Sequence, residues 1–351
     1  MKIGLLTFPI GKVGGILTNV KNLEKGLLDL GHTVEKYFIT TNIRKKPEKN
    51  DFGWECLGFE SEEFFKEYLD KVNDLDLVIW EVCCPHKTKA YTRETWKKCF
   101  NVKPQQLAYI HDNYFEKYYP WYAEIPLKHN IKIICPYQYM FDGARGLRAM
   151  KEIIDNPISI PNSGLYTESK KDILVDHNNW KGIKHKELVM KYVDQYDGNV
   201  IMFGDKNTLE YRQAVQEFDF TKVDDRGWCD REEIDKALQS AKVVTDLCKR
   251  GNVSNIYDYT ITEAIAFGCI PVLQTKICPK HEEIFVEYIH SPHQLPSVVN
   301  RIMSTFDDYE DRRISNLKFI DRLIPKNIAS EICEYSTVNY KETTVGTLFS
   351  F

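Results

Sequence analysis

The sequence predicts an α/β protein built from two tandem, doubly wound domains that face a central cleft. The chain has 351 residues, more than the ~250–300 at which single hydrophobic cores stop growing. Apolar strand patterns alternate with amphipathic helix patterns from the first residues onward, as in parallel α/β sheets. A turn-rich segment, 156–164, interrupts the alternation near the middle and indicates a domain boundary.

The first domain is predicted to cover residues 1–160. It opens with an apolar strand, Ile3–Phe8, and a glycine-containing loop, followed by an amphipathic helix, Leu17–Leu30, that Gly31 ends. Later segments continue the alternation. They are the strands Thr33–Phe38, Leu77–Val82, Gln106–Ile110 and Ile131–Pro136, the helix Ser61–Val72, and a segment of helical periodicity at Gly143–Ile154.

The second domain is predicted to cover residues 165–325 and to repeat the alternation of strands and helices. The terminal segment, 326–351, is expected to pack back towards the first domain. The predicted elements of the second domain are the strands Asp172–Val175, Val200–Phe203, Val243–Leu247 and Ile270–Leu273, and the helices Lys184–Tyr196, Glu232–Ser240 and Leu295–Thr305.

Composition favours a soluble globular protein, with 43% hydrophobic and 28% charged residues. No apolar run reaches the ~18 residues that span a membrane, and the sequence has no signal-peptide pattern. The ten cysteines include no CxxC pair, which favours reduced thiols and a cytoplasmic location. The net charge of −4 argues against a protein that coats a polyanion. No set of metal ligands is predicted.

The most informative segment is 258–274. Glu263 lies in the middle of a predicted helix that Gly268 ends before a buried strand, and Ala264 and Ala266 keep part of the helix surface slim. A carboxylate in this position can accept both hydroxyls of a ribose while the helix N-terminus faces phosphates. An ordinary amphipathic helix with a solvated glutamate explains the same pattern, and both interpretations stay open on this segment alone.

Three loops offer groups that suit phosphates. Gly14 and Gly15 precede the first helix and let a ligand approach the backbone, although the loop lacks both the GxGxxG and the GK[ST] spacings. A tight turn is the alternative. Lys181 precedes a helix, and Lys249 and Arg250 follow a strand, so that all three can neutralise a diphosphate. Ordinary surface charge is the alternative, although it is a weaker explanation for two such groups that flank one predicted crevice.

His111 and Asp112 follow a predicted strand, which places both at the carboxyl edge of the first sheet. Open α/β sheets bind ligands at this edge. The pair therefore indicates contact with a polar substrate, or a base. The alternative is an aspartate that begins the next turn.

Aromatic and basic residues are concentrated in the first domain. Aromatic faces stack on sugar rings and nucleobases, although they more often pack a core. Basic side chains can follow a phosphate backbone. The aromatic residues are Tyr114, Phe115, Tyr118, Tyr119, Trp121 and Tyr122, and the basic ones are Lys87, Lys89, Arg93, Lys97, Lys98, Arg145 and Arg148.

Several of these motifs resemble those of the retaining GT-B glycosyltransferases. Gly14-Gly15-Ile16 and Gly31-His32-Thr33-Val34 are similar to that family's opening loop and to the entry of its second strand. Trp180-Lys181-Gly182 is similar to its donor-domain motif, and the segment from Thr262 to Val272 is similar to its glutamate-, glycine- and proline-containing signature. The motifs around His111, Lys181 and Tyr259-Thr260 resemble the DNA α-glucosyltransferases of T-even phages within the family.

The resemblance implies two Rossmann-like domains with separate tasks. In the second domain, Glu263 would bind the ribose, Lys181 the phosphates, and the 226–231 loop would lie near the base. In the first domain, Asp112 would orient or deprotonate the attacking hydroxyl, and His111 would contact the sugar. The implied donor-binding residues are Gly14, Gly15, Lys181, Trp228, Lys249, Arg250, Tyr259, Thr260 and Glu263, and the acceptor-binding residues are Tyr114, Tyr118 and Arg145.

Two departures from the family pattern affect the donor site. Asn255 stands where the family usually has a second glutamate, which faces the donor sugar. The arginine expected shortly before Lys181 is missing, and Asp176 lies in that neighbourhood. The segment therefore indicates a nucleotide and leaves the identity of the sugar open.

The resulting expectation is a retaining transferase that needs no cofactor and uses a UDP-sugar, with glucose favoured. The lead acceptor is a hydroxymethylated pyrimidine in duplex DNA, such as hydroxymethylcytosine, in the host cytoplasm if the chain is phage-encoded. One alternative is transfer to a saccharide or glycolipid, and a second is a sugar-nucleotide epimerase of the same architecture. The linkage and the oligomeric state are left open.

Overall fold

Two compact units make up the chain, and each contains one parallel sheet. Unit 1 comprises residues Met1–Ser159 and Leu323–Phe351, and unit 2 comprises Ile160–Arg322. The predicted fold class, α/β with two doubly wound parallel sheets, is confirmed. The structure is a computed structural model that describes residues 1–7, 15–40, 49–50, 52–58, 61–81, 97–111, 125–136, 138–144, 146–159, 170–176, 186–247, 259–274 and 284–338.

Thirteen strands lie in the described part of the chain, seven in unit 1 and six in unit 2. Each of them pairs in parallel with its neighbours. They are β1 Lys2–Thr7, β2 Thr33–Ile39, β3 Glu55–Leu57, β4 Leu77–Glu81, β5 Gln105–Tyr109, β6 Ile131–Cys135, β7 Lys151–Ile153, β8 Lys171–Asp176, β9 Asn199–Phe203, β10 Asp224–Gly227, β11 Ala241–Asp246, β12 Ile270–Gln274 and β13 Glu287–Ile289.

Eleven α-helices are described alongside these strands. They are α1 Gly15–Asp29, α2 Glu62–Val72, α3 Ile125–Lys128, α4 Gln138–Gly143, α5 Lys186–Tyr196, α6 Leu209–Glu217, α7 Arg231–Ser240, α8 Tyr259–Ala266, α9 Leu295–Ser304, α10 Glu310–Ile320 and α11 Pro325–Thr337. In this set, no helix is long and apolar enough to cross a membrane.

The sheet of unit 1 has the strand order β3-β2-β1-β4-β5-β6-β7. Strands β4 and β6 are buried along their whole length, as expected for parallel strands covered on both faces. The order reverses between β1 and β4, which makes the carboxyl ends of these two strands the topological switch point of the sheet. Ligands of open α/β sheets bind at such a point.

The helix predicted at Gly143–Ile154 is wrong. Helix α4 ends at Gly143, and Lys151–Ile153 forms the edge strand β7, which pairs with β6. The apolar spacing that suggested a helix instead arises from a turn and a strand. Leu147 of the turn is buried in the core, and the backbone N of Leu147 donates to the carbonyl of Ala144 at 3.0 Å.

The last described helix, α11, packs on α1 within unit 1. The two backbones approach closely at Gly26, where an added Cβ would lie 2.0 Å from the carbonyl oxygen of Pro325. The buried Lys132 at the start of β6 donates to the carbonyl of Tyr335 at 3.0 Å and also to that of Ser336. These contacts supply donors to carbonyl groups in the last turn of α11, where the carbonyl of Tyr335 also accepts from the backbone N of Val338 at 3.3 Å.

The sheet of unit 2 has the strand order β10-β9-β8-β11-β12-β13. Its order reverses between β8 and β11, so the carboxyl ends of these strands form the switch point of this sheet. Both strands end in a buried acidic residue, Asp176 in β8 and Asp246 in β11. The apolar core on either side comes from α5 and α9 and from α7 and α8.

Candidate functional site

A buried carboxylate, Glu81, lies at the switch point of unit 1. In the register of the sheet, it stands between Thr7 on β1 and Tyr109 on β5. Glu81 is the only charged residue of an otherwise apolar strand, Leu-Val-Ile-Trp-Glu, and it has no exposed surface. The hydroxyl of Thr7 is also buried, and it has no hydrogen-bond partner among the described residues. The edge of this sheet therefore presents polar groups where an α/β sheet binds a ligand.

Glu81 is held by two side chains from different elements. The amide Nδ2 of Asn19, which lies on α1, donates to Oε1 at 2.9 Å and to Oε2 at 3.1 Å. The Nε2 atom of His111, which follows β5, lies 2.7 Å from Oε2. An ionised carboxylate accepts hydrogen bonds through both oxygens, and burial of the charge requires such partners.

His111 is fixed both in its ring plane and on its face. Glu81 contacts its Nε2, and the ring of Tyr109 stacks on the imidazole with centroids 5.4 Å apart and planes inclined by 9°. The hydroxyl of Tyr109 in turn donates to the carbonyl of Asp155 at 3.1 Å. The His111 side chain is 13% exposed, and no described residue contacts its Nδ1. That nitrogen is available to a ligand.

In unit 2, Glu263 occupies the middle of α8, between β11 and β12. Gly268 ends this segment with a positive φ of 70°, and the backbone N of Cys269 closes the turn onto the carbonyl of Ala264 at 2.9 Å. This is the glycine stop expected from the sequence. The turn leads directly into β12, so Glu263 is held between two buried elements.

Glu263 forms an ion pair with Arg231, the first residue of α7. The Nη1 atom of Arg231 contacts Oε1 of Glu263, and its Nε lies 2.6 Å from Oδ1 of Asp235 one turn later in the helix. The Glu263 side chain is 5% exposed and that of Arg231 is 45% exposed. Among the described residues, no hydrogen bond reaches Oε2 of Glu263. Within the described residues, one oxygen of this buried carboxylate is therefore left for a further donor.

Burial and charge act in opposite directions on this ion pair. Burial raises the pKa of Glu263, Arg231 opposes that rise, and the neighbouring Asp235 adds to it, leaving the pKa above its ordinary value. Burial alone would lower the pKa of Arg231, but Glu263 and Asp235 raise it overall. Because arginine stays protonated, Arg231 is the group that favours ionised Glu263.

A second buried ion pair lies at the carboxyl end of β8. Lys186, the first residue of α5, donates through Nζ to Oδ2 of Asp176 at 2.9 Å and to the carbonyl of Phe203 at 3.1 Å. Both side chains of the pair are about 4% exposed. Asp176 lies in the neighbourhood in which the family pattern predicts an arginine. Its negative charge is balanced by Lys186 of the same unit.

The turn before β4 contains Asp74 and Asp76, whose spacing is that of a metal-binding DxD motif. Asp74 accepts from Nζ of Lys2 at 2.6 Å, and Asp76 accepts from the backbone N of Lys2 at 2.7 Å. The contact with Lys2 lowers the pKa of the exposed Asp74. These carboxylates fasten the start of β1 to the turn.

Of the predicted site residues, the structure brings the 226–231 loop and Glu263 together through Arg231. Trp228 in that loop is 54% exposed. Gly15 and Tyr259 are the first residues of α1 and α8, and Thr260 is the second residue of α8. Outside the described residues lie Gly14, Asp112, Tyr114, Tyr118, Arg145, Lys181, Lys249 and Arg250.

Two polar residues at these positions, Glu81 and Asn19, were not singled out from the sequence, and Arg231 was included only as the last residue of the 226–231 loop. A single acidic residue that ends a wholly apolar strand is a usable signal for Glu81. Asn19 interrupts the buried face of α1 between Leu17 and Val20. Arg231 has no comparable signal, because its partner lies 32 residues away in the chain.

The two doubly wound units define the class of fold, which is that of the GT-B glycosyltransferases. An α-glucosyltransferase in complex with UDP-glucose and DNA containing an abasic site is 14% identical, with a TM-score of 0.66, covering 96% of this chain and 100% of that one. HepE of Anabaena in complex with UDP-glucose is 12% identical, with a TM-score of 0.69 and coverages of 95% and 98%.

A third similar structure belongs to a transferase named for a different acceptor. The lipopolysaccharide outer core galactosyltransferase WaaB, in its apo form, is 12% identical, with a TM-score of 0.65 over 96% of this chain and 100% of that one. No protein-family model matches the chain, and no curated protein matches it significantly in sequence. At these identities, the similarity establishes the fold.

Proposed function

We propose that the chain is a retaining glycosyltransferase that moves a sugar, with glucose favoured, from a UDP-sugar to a hydroxymethylated pyrimidine in duplex DNA. Similarity over nearly the full length to transferases bound to UDP-glucose supports the reaction class. The similar α-glucosyltransferase in complex with DNA supports the acceptor. No cofactor beyond the donor itself is part of the proposal.

The observation that carries the donor half of this proposal is the state of Glu263. Its carboxylate is buried in the middle of a short helix, is paired with Arg231 through Oε1, and has no described partner at Oε2. A ribose presents two neighbouring hydroxyl donors, and a carboxylate accepts both in charge-assisted hydrogen bonds. The exposed Trp228, three residues before Arg231, offers an aromatic face for the base.

The proposed chemistry is a front-face displacement. The bond between the anomeric carbon and the UDP oxygen breaks, and the acceptor oxygen forms a new bond to the same face of that carbon. The acceptor proton passes to the departing phosphate oxygen, so that UDP leaves protonated and then releases the proton to water. Lys181, Lys249, Arg250 and helix-end amides would stabilise the negative charge that develops on the diphosphate, the main electrostatic contribution to the rate.

We assign the acceptor to unit 1. Asp112 would orient the attacking hydroxyl, His111 would contact the sugar, and Tyr114, Tyr118 and Arg145 would line the acceptor path. A hydroxymethylated base lies inside the duplex stack, so the enzyme would have to flip it out before transfer. The aromatic run after Asp112 would supply stacking surfaces for the flipped base.

The second candidate function is transfer to a saccharide or glycolipid. Its support is the similarity to the lipopolysaccharide galactosyltransferase, which has the same coverage as the DNA-bound enzyme. A sugar-nucleotide epimerase is the further alternative. It would convert one UDP-sugar into another and would need no acceptor.

Radiolabelled UDP-glucose, offered in parallel with four acceptors, separates these functions. The acceptors are duplex DNA containing hydroxymethylcytosine, the same duplex with unmodified cytosine, an oligosaccharide mixture, and water alone. We expect label only in the hydroxymethylated duplex. Nuclease digestion followed by NMR should show an α linkage, and EDTA should leave the amount of transferred label unchanged. Label in the oligosaccharides but not in DNA would replace the acceptor proposal, and a new UDP-sugar without acceptor would indicate an epimerase.

A further inference from the structure

We propose that Glu81 is a positioning residue that holds His111 in one tautomer, with a proton on Nε2 and a lone pair on Nδ1 presented to a hydroxyl of the bound sugar or acceptor. This inference rests on the proposed function for the identity of that hydroxyl. The tautomer itself is a property of the free protein. Asn19 is the second member of the arrangement, because its amide donates to both oxygens of Glu81 and so requires them to be acceptors.

The assignment follows from hydrogen-bond direction. The Nδ2 group of Asn19 donates to both oxygens of Glu81, at 2.9 and 3.1 Å, so the carboxylate acts as an acceptor on both sides. His111 Nε2 lies 2.7 Å from Oε2. Two acceptors cannot share this contact, so Nε2 is the donor, and the neutral ring then carries its lone pair on Nδ1.

The surroundings of His111 oppose a rotation that would exchange the positions of its two ring nitrogens. Tyr109 stacks on the ring face, with the two planes 9° apart, and Glu81 has no exposed surface. Turning the ring over would break the Nε2 contact with a buried charge, which is costly when no other donor replaces it. Among the described residues, none competes for Nδ1. The ring is therefore prepared to accept a hydrogen bond before any ligand arrives.

The arrangement gives His111 a defined role in transfer. A lone pair on Nδ1 accepts the O–H of a sugar or acceptor hydroxyl and turns the oxygen lone pairs of that hydroxyl in a fixed direction. The opposite tautomer would present an N–H to the same hydroxyl and reverse its orientation. Holding a reacting group in one orientation removes an entropic part of the barrier.

An isosteric substitution tests this logic. In Glu81→Gln, the amide oxygen can accept from only one neighbour, and its NH2 group must face the other. If the oxygen faces Asn19, the NH2 group meets His111 Nε2 and forces that atom to become the acceptor. If the oxygen faces His111, two NH2 groups meet at Asn19. The first arrangement keeps Asn19 in its observed orientation as a donor, so we expect Glu81→Gln to shift the proton to Nδ1.

A rescue variant restores the original direction. In the double variant Asn19→Asp with Glu81→Gln, the introduced aspartate accepts from the glutamine NH2 group, and the glutamine oxygen again accepts from His111 Nε2. The total charge equals that of the wild-type protein, since the carboxylate has only moved from one side of the contact to the other. Glu62→Gln, at an exposed position in the first turn of α2, is the matched control.

The first readout is the 15N spectrum of histidine-labelled protein, in which protonated and unprotonated ring nitrogens differ, with His111→Gln used for assignment. We expect the Nε2–H tautomer in the wild-type protein, in Glu62→Gln and in the double variant, and the Nδ1–H tautomer in Glu81→Gln. A wild-type His111 in the Nδ1–H form would overturn the inference. This outcome is independent of enzymatic activity.

The second readout is the rate of transfer from UDP-glucose. We expect Glu81→Gln to lower kcat about 10- to 100-fold, the usual effect of removing a supporting hydrogen bond behind a functional histidine. KM for UDP-glucose should change less than about 3-fold, because its nucleotide would bind in unit 2. The double variant should recover most of kcat. If the variants fold and their kcat values do not fall in the order wild type, double variant, Glu81→Gln, then Glu81 does not act by positioning His111. Absence of transfer by the wild-type protein contradicts the proposed function alone.

Discussion

Each unit contains a buried glutamate beside its sheet, but the two are neutralised in different ways. Glu81 in unit 1 is contacted by the amide of Asn19 and the imidazole of His111. Glu263 in unit 2 is contacted by the guanidinium of Arg231. Of these two glutamates, only Glu263 has a permanently charged partner among the described residues.

This difference separates two kinds of task. Arginine keeps its charge at every physiological pH, so the pair of Glu263 and Arg231 is a fixed electrostatic element that suits binding. The two ring nitrogens of histidine are distinct, so the pair of Glu81 and His111 fixes which of them carries a hydrogen and suits orientation of a reacting group. The chemistry of the partner, rather than the burial of the carboxylate, distinguishes the two sites.

The largest effect is expected at Asp176, a third buried carboxylate, to which we assign no ligand. Its ion pair with Lys186 tests how burial of a charge affects stability. Removing the cation in Lys186→Met leaves Asp176 buried with its lysine partner gone, which should lower the free energy of unfolding by about 3–5 kcal/mol. Urea unfolding followed by circular dichroism measures this.

The double variant Lys186→Met with Asp176→Leu serves as its control. Apolar replacement of both partners of a buried pair is often close to neutral, so this variant should recover at least half of the loss. A single variant as stable as the wild-type protein would mean that Asp176 is balanced by other groups.

The next largest effect concerns Glu263, the carboxylate that we propose binds the ribose. Glu263→Ala should weaken UDP binding about 100-fold, because two charge-assisted hydrogen bonds to the ribose are lost, at about 1.5–3 kcal/mol each before compensation by water. Isothermal titration calorimetry gives the dissociation constant. Glu263→Gln keeps the shape and should lose less, whereas an unchanged affinity in Glu263→Ala would remove Glu263 from the nucleotide site.

The smallest effect is expected from replacing Arg231, the ion-pair partner of Glu263. Arg231→Met should weaken UDP binding about 10-fold near neutral pH and make it more sensitive to pH. Arg231 opposes the burial that raises the pKa of Glu263, so its removal raises that pKa further. Ribose binding requires the ionised carboxylate, so affinity should fall as the pH decreases, and this fall should begin at a higher pH than in the wild-type protein.

The appropriate comparison is calorimetry of the variant and the wild-type protein at each pH, since titration of UDP itself is common to both. Arg212→Met, at an exposed position on α6, controls for loss of an arginine from the same unit. If the two proteins showed parallel pH profiles, Arg231 would not be the group that keeps Glu263 ionised.

The sequence was sufficient to predict the long central elements. The predicted strands correspond to β1, β2, β4, β5, β6, β8, β9, β11 and β12, because each of these contains a run or an alternation of apolar residues. The short edge strands were missed, since a three-residue strand such as β3 is too short to show a period. Strand β10 has the polar sequence Asp-Asp-Arg-Gly, which carries no apolar pattern. It lies at the edge of its sheet and pairs only with β9.

The site was predictable only where one segment carries its own signal. Glu263 and Gly268 belong to one continuous motif, and His111 follows a visible strand. The partners of these residues are distant in sequence, 30 residues for Glu81 and His111 and 32 for Arg231 and Glu263. The strand order determines which of them meet, and that order is a property of the whole sheet.

The return of α11 to unit 1 has a consequence for synthesis of the protein on the ribosome. Unit 2 is one continuous segment, Ile160–Arg322, whereas unit 1 includes residues from both ends of the chain. Gly26 and Lys132 are approached by Pro325, Tyr335 and Ser336, which are translated after the whole of unit 2. The sheet of unit 1 is therefore translated before unit 2, whereas α11, which also belongs to unit 1, is translated only after unit 2.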